Sequence, residues 1–243
     1  SVGHLCTCIC NYECLEAMGQ IAFSLPRWYA AIELDGLLEN FAGMRIVPSD
    51  DSLVLSGDIS FKAQGPDGVE IADTYTIKIE VPFSFPETIP SVWETSKRIP
   101  RNFHKLTGNR LCLAAPTQLR LGVRKSSSLL QFVKQFVVPY LFGYSYFEQF
   151  DRMPFGELAH GNEGIRDYLR EMYSAGNARN PEEFLRLSSL HKRVANKRPC
   201  PCGSRRRLGR CHNRVVNAYR RELGRKWFAK EYHRVTSSLD DEC

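Results

Sequence analysis

Residues Cys200-Pro201-Cys202 and Cys211-His212 bring two pairs of metal-ligand side chains into one thirteen-residue stretch. A structural zinc ion wants four soft or borderline ligands at tetrahedral corners, and two close pairs joined by a loop are the usual way to supply them. The loop suits that task. Gly203 and Gly209 allow tight backbone turns, and Arg205, Arg206, Arg207 and Arg210 favour thiolates by electrostatic attraction. The spacing therefore predicts that Cys200, Cys202, Cys211 and His212 bind one structural zinc ion at the end of a larger domain.

The charge divides the chain in the same region. Residues 191–234 hold fifteen Lys and Arg against Glu222 and Glu231, a local +13, so the remainder of this +6 chain sums to −7. The basicity belongs to the C-terminal unit, where it can meet phosphate backbone, nucleotide or an acidic protein surface.

With 43% hydrophobic and 25% charged residues, the 243-residue chain has the composition of an ordinary soluble protein, long enough for one moderate domain and a smaller module. No apolar run reaches the roughly 18 residues of a membrane span. Nine cysteines, clustered and odd in number, fit a reducing cytoplasm better than a disulfide framework. The segment Leu5-Cys6-Thr7-Cys8-Ile9-Cys10 is too short for a secretory apolar region and has no basic stretch before it. The absence of an initiator Met points to truncation or processing. Cys6, Cys8, Cys10 and Cys14 have no second ligand cluster nearby, so residues 1–20 read as an irregular lead-in.

Helical spacing of Trp28, Ala31, Ile32, Leu34, Leu38 and Phe41 predicts an amphipathic helix from Pro26, with Gly43 as its stop. Leu53 to Gln64 and Val69 to Val81 read as a hairpin around Gly65-Pro66-Asp67-Gly68, with Tyr75, Ile77, Ile79 and Val81 alternating against polar neighbours. Ser91-Val-Trp93-Glu fits a further short strand. An apolar helix is expected from Ser126–Ser128 through Tyr146 and another over 163–174. Gly176-Asn-Ala-Arg-Asn-Pro181 reads as linker chemistry. The expected organisation is a lead-in (1–20), an α+β domain (21–175), a linker (176–190) and the basic metal module (191–243).

Cys112, in Gly108-Asn-Arg110-Leu-Cys112-Leu-Ala-Ala-Pro116, follows an irregular stretch and precedes a helix. A nucleophile on a rigid loop fits that place, with Arg110 and His104 favouring its thiolate; a small core cysteine between Leu111 and Leu113 is the alternative. The run Ile79-Glu-Val-Pro82-Phe-Ser-Phe-Pro86 through Arg101-Asn-Phe-His104 to Leu111-Cys112-Leu113 resembles the ubiquitin-conjugating enzyme family over residues 25–150. That family sets a first helix before an antiparallel meander, then a proline turn, then an active-site cysteine before a long helix. The resemblance implies an α+β ubiquitin-conjugating-like domain, a thioester at Cys112, and an activating enzyme that delivers the acyl group. The His-Pro-Asn element of the eukaryotic members is missing; Asn102 and Asn109 are the nearby amides, and the oxyanion role stays unassigned.

A single His before a Gly-containing loop and Cys-Leu is similar to the bacterial branch, so His104 is the second candidate site residue. That likeness implies anti-phage operons of the cyclic-oligonucleotide type (CBASS), in which the conjugated protein is a ubiquitin-like protein or a cGAS-like nucleotidyltransferase. Residues 199–212 resemble the SEC-C zinc motif, which implies a docking module. His160 and Glu157, in a Gly-rich polar segment, could assist proton transfer or simply cap a surface turn. No P-loop, dinucleotide fingerprint or His-Glu-x-x-His is present, against an ATP-dependent activating enzyme or a metalloprotease. The rival expectation is a non-catalytic adaptor that binds protein or nucleic acid through the basic module.

Overall fold

The computed structural model describes residues 27–154 and 161–237. Cys6, Cys8, Cys10, Cys14, Glu157 and His160 lie outside the described residues.

The fold is α+β. Four strands, β1 (Gly43–Val47), β2 (Ser52–Gln64), β3 (Glu70–Pro82) and β4 (Ser91–Glu94), form one antiparallel meander in the order β1-β2-β3-β4. β2 and β3 pair along their full length, from Ser52↔Pro82 to Gln64↔Glu70, and the expected alternation holds. Tyr75, Ile77, Ile79 and Val81 are buried, as are Leu53, Leu55 and Ile59 across the ladder. Each such side chain contributes about 1.5–3 kcal/mol by leaving water. Gly57, at φ 144°, is obligatory where β1 crosses β2: a Cβ there would lie 2.0 Å from the Gly43 carbonyl oxygen.

The first helix is broken where the apolar spacing predicts continuity. Residues 27–31 are helical, Glu33 adopts a left-handed φ of 55°, and the helix restarts as α1 (Leu34–Asn40). The break lets Ile32, Leu34 and Leu37 all turn into the core. Gly43 is the first residue of β1 rather than a helix stop. β1 itself, and α2 (Pro116–Lys125), carry no strong period, and no local pattern announces them.

Ser128 caps α3 (Leu129–Phe132), its Oγ accepting the Gln131 N–H at 3.1 Å, as its position predicts. A π-helical turn, Val133–Val137, joins α3 to α4 (Val138–Phe150). Pro139 accounts for the widening, since it has no N–H and its ring would collide with the carbonyl four residues earlier. α4 packs on β3 through a polar seam. Tyr75 Oη donates to Ser145 Oγ (2.7 Å), Ser145 donates to Asp73 (2.7 Å), and Arg98 forks onto Asp73 at 2.8 and 2.9 Å.

A second core lies among α5 (Gly161–Met172), α6 (Glu183–Ser189), α7 (Lys192–Ala195), α8 (Asn213–Leu223) and α9 (Arg225–Ser237). Where the sequence suggests a linker, residues 176–190, the structure has α6, with Phe184, Leu185 and Leu187 buried and Phe184 stacked on Tyr173 at 4.5 Å. Gly176 and Pro181 punctuate a turn inside this helical unit. Leu121 of α2 packs against the second core, whereas Val123, two residues on, is buried in the first. Gly122 between them faces Phe136, whose ring would lie 2.4 Å from an added Cβ. No helix among the described residues is long and apolar enough to cross a membrane.

Candidate functional site

The four Cys/His residues converge. Their ligand atoms all lie within 4.8 Å of one another, and they can hold one metal ion. Cys202 and Cys211 sulfurs are 3.5 Å apart, and His212 Nδ1 stands 3.1 Å from Cys211 Sγ and 3.2 Å from Cys200 Sγ. A tetrahedral ion with metal–sulfur bonds of about 2.3 Å needs edges of about 3.5–3.8 Å, so small movements suffice to close the shell.

The backbone explains the convergence. Residues 197–209 fold into a small ribbon with a bridge at Pro199↔Arg207, held by Cys200 N–H to the Arg206 carbonyl and Leu208 N–H to the Arg198 carbonyl, both 2.8 Å. Gly203 turns the ribbon at φ 79°. Leu208 plugs the ribbon into the second core, and α8 begins directly after His212. With Nδ1 facing the sulfurs, Nε2 faces the Ser174 carbonyl at 3.4 Å, the outer partner that fixes a ligating imidazole. Ser204 Oγ lies 3.2 Å from Cys202 Sγ and 3.3 Å from Cys211 Sγ. Ser174 and Ser204 carry no ligand signature, so spacing alone does not reveal them.

Burial pushes the Cys200 thiol above its ordinary value. Burial also works to raise Cys202, but hydrogen bonds centred on Ser204 outweigh it and hold that thiol down. A metal would complete the deprotonation of the set, releasing protons as it binds. All four loop arginines are exposed, and of them Arg206 reaches Cys211 Sγ at 3.6 Å.

Cys112 and His104 are brought together at a separate place. A bridge pairs Lys105 with Leu111, Leu106 N–H donates to the Arg110 carbonyl, and Cys112 N–H donates to the His104 carbonyl, each bond 2.8 Å. The result is a tight hairpin in which His104 and Cys112 stand opposite each other. Gly108 (φ 75°) and Asn109 (φ 60°) close its tip. The Gly-Asn pair is a legible turn signal, though it does not by itself place His104.

Long-range contacts fasten the hairpin. Leu111 N–H donates to the Val92 carbonyl at 2.8 Å, and Trp93 Nε1 donates to the Gly108 carbonyl at 3.0 Å. Tyr140 Oη from α4 donates to the carbonyls of Phe103 and His104, at 3.0 and 3.1 Å. Beneath lies a buried pair, Lys105 Nζ and Glu94 at 3.9 Å, with Lys105 also donating to the Ile99 carbonyl at 2.7 Å. Burial pulls the Lys105 ammonium below its ordinary value.

Cys112 is disulfide-bonded, where the composition predicts thiols. Cys200, Cys202 and Cys211 are free thiols. The N–H groups of Leu111 and Cys112 are both spent inside the fold, so neither can serve a developing oxyanion. Asn102 and Asn109 are exposed beside the hairpin and at its tip. Comparison of the chain with family models, with curated proteins and with solved structures gives no match.

Proposed function

We propose that the first unit is a ubiquitin-conjugating-like acyltransferase and that Cys112, once reduced, carries the acyl group as a thioester. The observation that carries this reading is the hairpin that sets Cys112 directly opposite His104, behind a four-stranded meander and four residues before α2. A thioester and a disulfide at the same sulfur exclude each other, so the working enzyme is the reduced chain.

In the first step the Cys112 thiolate attacks the carbonyl carbon of a thioester presented by an activating enzyme. A new C–S bond forms and the activating enzyme's sulfur leaves. A neutral lysine amine then attacks the Cys112 thioester, a C–N bond forms as the C–S bond breaks, Cys112 leaves as thiolate, and the proton lost from the nitrogen passes to solvent. His104 would favour the thiolate before attack, and the attacked carbonyl would take its oxyanion support from a side-chain amide or from the partner, given the spent N–H groups.

The tetrad would hold zinc, which suits three thiolates and one imidazole with no open position. Its role is then to fold the basic docking unit rather than to do chemistry. The carriers implied by the resemblance are a ubiquitin-like protein or a cGAS-like nucleotidyltransferase, with anti-phage defence as the setting.

The test is intact mass of the chain co-expressed with its genomic neighbours, before and after thiol reduction, for wild type and Cys112→Ala. A reducible adduct abolished by Cys112→Ala is the expected result. With the neighbours active, no Cys112-dependent adduct would favour the non-catalytic adaptor, a reading that the disulfide at Cys112 also suits.

A further inference from the structure

The metal ribbon carries its cations in an unusual state. Of the fifteen Lys and Arg in residues 191–234, twelve are exposed and form no ion pair among the described residues. The other three are occupied: Arg234 with Glu231, and Arg220 and Arg225 with the last carbonyls of α6. An ordinary solvated face mixes signs and pairs its charges, so this one is left open to an outside polyanion.

Register makes the densest part continuous. Lys197 and Arg198 run along one side of the ribbon and Arg206 and Arg207 along the other, opposite one another across the Pro199↔Arg207 bridge. Arg205 at the turn and Arg210 one step beyond extend the same surface, and all six are exposed. Five of the six are arginine, whose planar fork engages phosphate oxygens two at a time.

Three kinds of polyanion could meet such a surface, and the structure favours one. A membrane surface calls for an apolar face beside the cations. Here α8 and α9 bury Val216, Leu223, Phe228 and Val235 inward, and among the described residues only Val194 of the exposed large apolar side chains belongs to this unit. A protein interface centres on apolar and aromatic anchors with charge at the rim. The exposed side chains of the ribbon are mostly cationic, with only Pro199 and Ser204 among them uncharged, and they offer no such centre. From these features we infer that the ribbon is a nucleic-acid docking surface that grips the phosphodiester backbone without reading sequence. This stands apart from any chemistry at Cys112.

The test is fluorescence anisotropy of the full reduced, metal-loaded chain with a labelled 24-nucleotide single-stranded RNA between 50 and 200 mM salt. A polyglutamate of similar charge and anionic phosphatidylserine vesicles serve as competitors. The test variant is Lys197→Ala, Arg205→Ala, Arg207→Ala, Arg210→Ala, which spares the four ligands and Arg206; metal content and circular dichroism check its fold. The wild-type logarithmic salt slope should be about −4, flattened by about 3 in the variant, at roughly 0.7 for each phosphate the variant no longer neutralises. Affinity at 100 mM salt should fall at least tenfold. No RNA binding at 50 mM salt overturns the inference, as does a slope the variant leaves unchanged. Tighter binding of polyglutamate or of vesicles than of RNA overturns it too.

Discussion

Among the described residues two sulfur-bearing sites are built on opposite plans. The tetrad is drawn from thirteen consecutive residues, and its ribbon closes through its own backbone bonds. The Cys112 hairpin is also short, but what holds it comes from far along the chain: Val92 and Trp93 of β4, the buried Glu94–Lys105 pair, and Tyr140 of α4. The first site can be specified locally because an ion replaces a core; the second is positioned by a core already built. The tetrad should therefore answer to metal, and the hairpin to the packing of the sheet.

The largest test of that contrast is removal of the metal by chelation or by Cys200→Ser with Cys211→Ser. Structural zinc sites contribute apparent free energies of about 10–16 kcal/mol, more than the small second core can replace. Hydrogen exchange should show α6 to α9 losing protection while β2 and β3 keep theirs. Loss of protection in β2 and β3 as well would mean that the two regions fold as one.

Phe184→Ala sharpens the contrast from the packing side. Phe184 is fully buried, stacked on Tyr173 and edge-on to His212 at 5.6 Å. Its truncation should cost about 3–5 kcal/mol of second-core stability. A competition titration should find weaker metal binding, with the denaturant midpoint of the sheet region unmoved.

The smallest effect is confined to the first unit and depends on pH. Burial works to raise the Asp73 carboxyl, but hydrogen bonds from Arg98, Ser145 and the Thr74 N–H outweigh it and hold the group below its ordinary value. A carboxylate lowered in the folded state contributes stability that is complete above about pH 4 and is lost as pH falls through the folded value. Asp73→Asn should cost about 2 kcal/mol at pH 7, in the range of hydrogen bonds to a charged group, and less at about pH 3, below the unfolded value. An equal cost at both pH values would assign the seam to shape rather than charge.

The same contrast governs what could be read from the residues alone. The ligands of the tetrad announce themselves because their convergence follows from spacing and two glycines. The long hairpin of β2 and β3 is equally legible, since alternation at Tyr75, Ile77 and Ile79 is a local pattern with one meaning. The break at Glu33 is not, because Trp28 to Phe41 keep a helical period whether or not the chain kinks; only the demand to bury both Ile32 and Leu34 forces the turn. Residues 176–190 mislead in the other direction. Gly176, Asn177 and Pro181 have turn chemistry, yet the segment they bound supplies Phe184 to a core whose other half, Val216 to Val235, lies far along the chain. Likewise the opposition of His104 to Cys112 depends on β4 and α4, which no window around either residue contains.

Modularity is where α2 has its consequence. With Leu121 in one core and Val123 in the other, this ten-residue helix belongs to both, and Gly122 lets it lie close enough to Phe136 to do so. A chimera that grafts residues 161–237 onto a new carrier leaves an apolar notch where Leu121 stood. A truncation that keeps only residues 27–154 turns Leu121 out to water. The basic unit is therefore not a detachable cassette, and any transplant of it has to bring a replacement for one leucine of its neighbour.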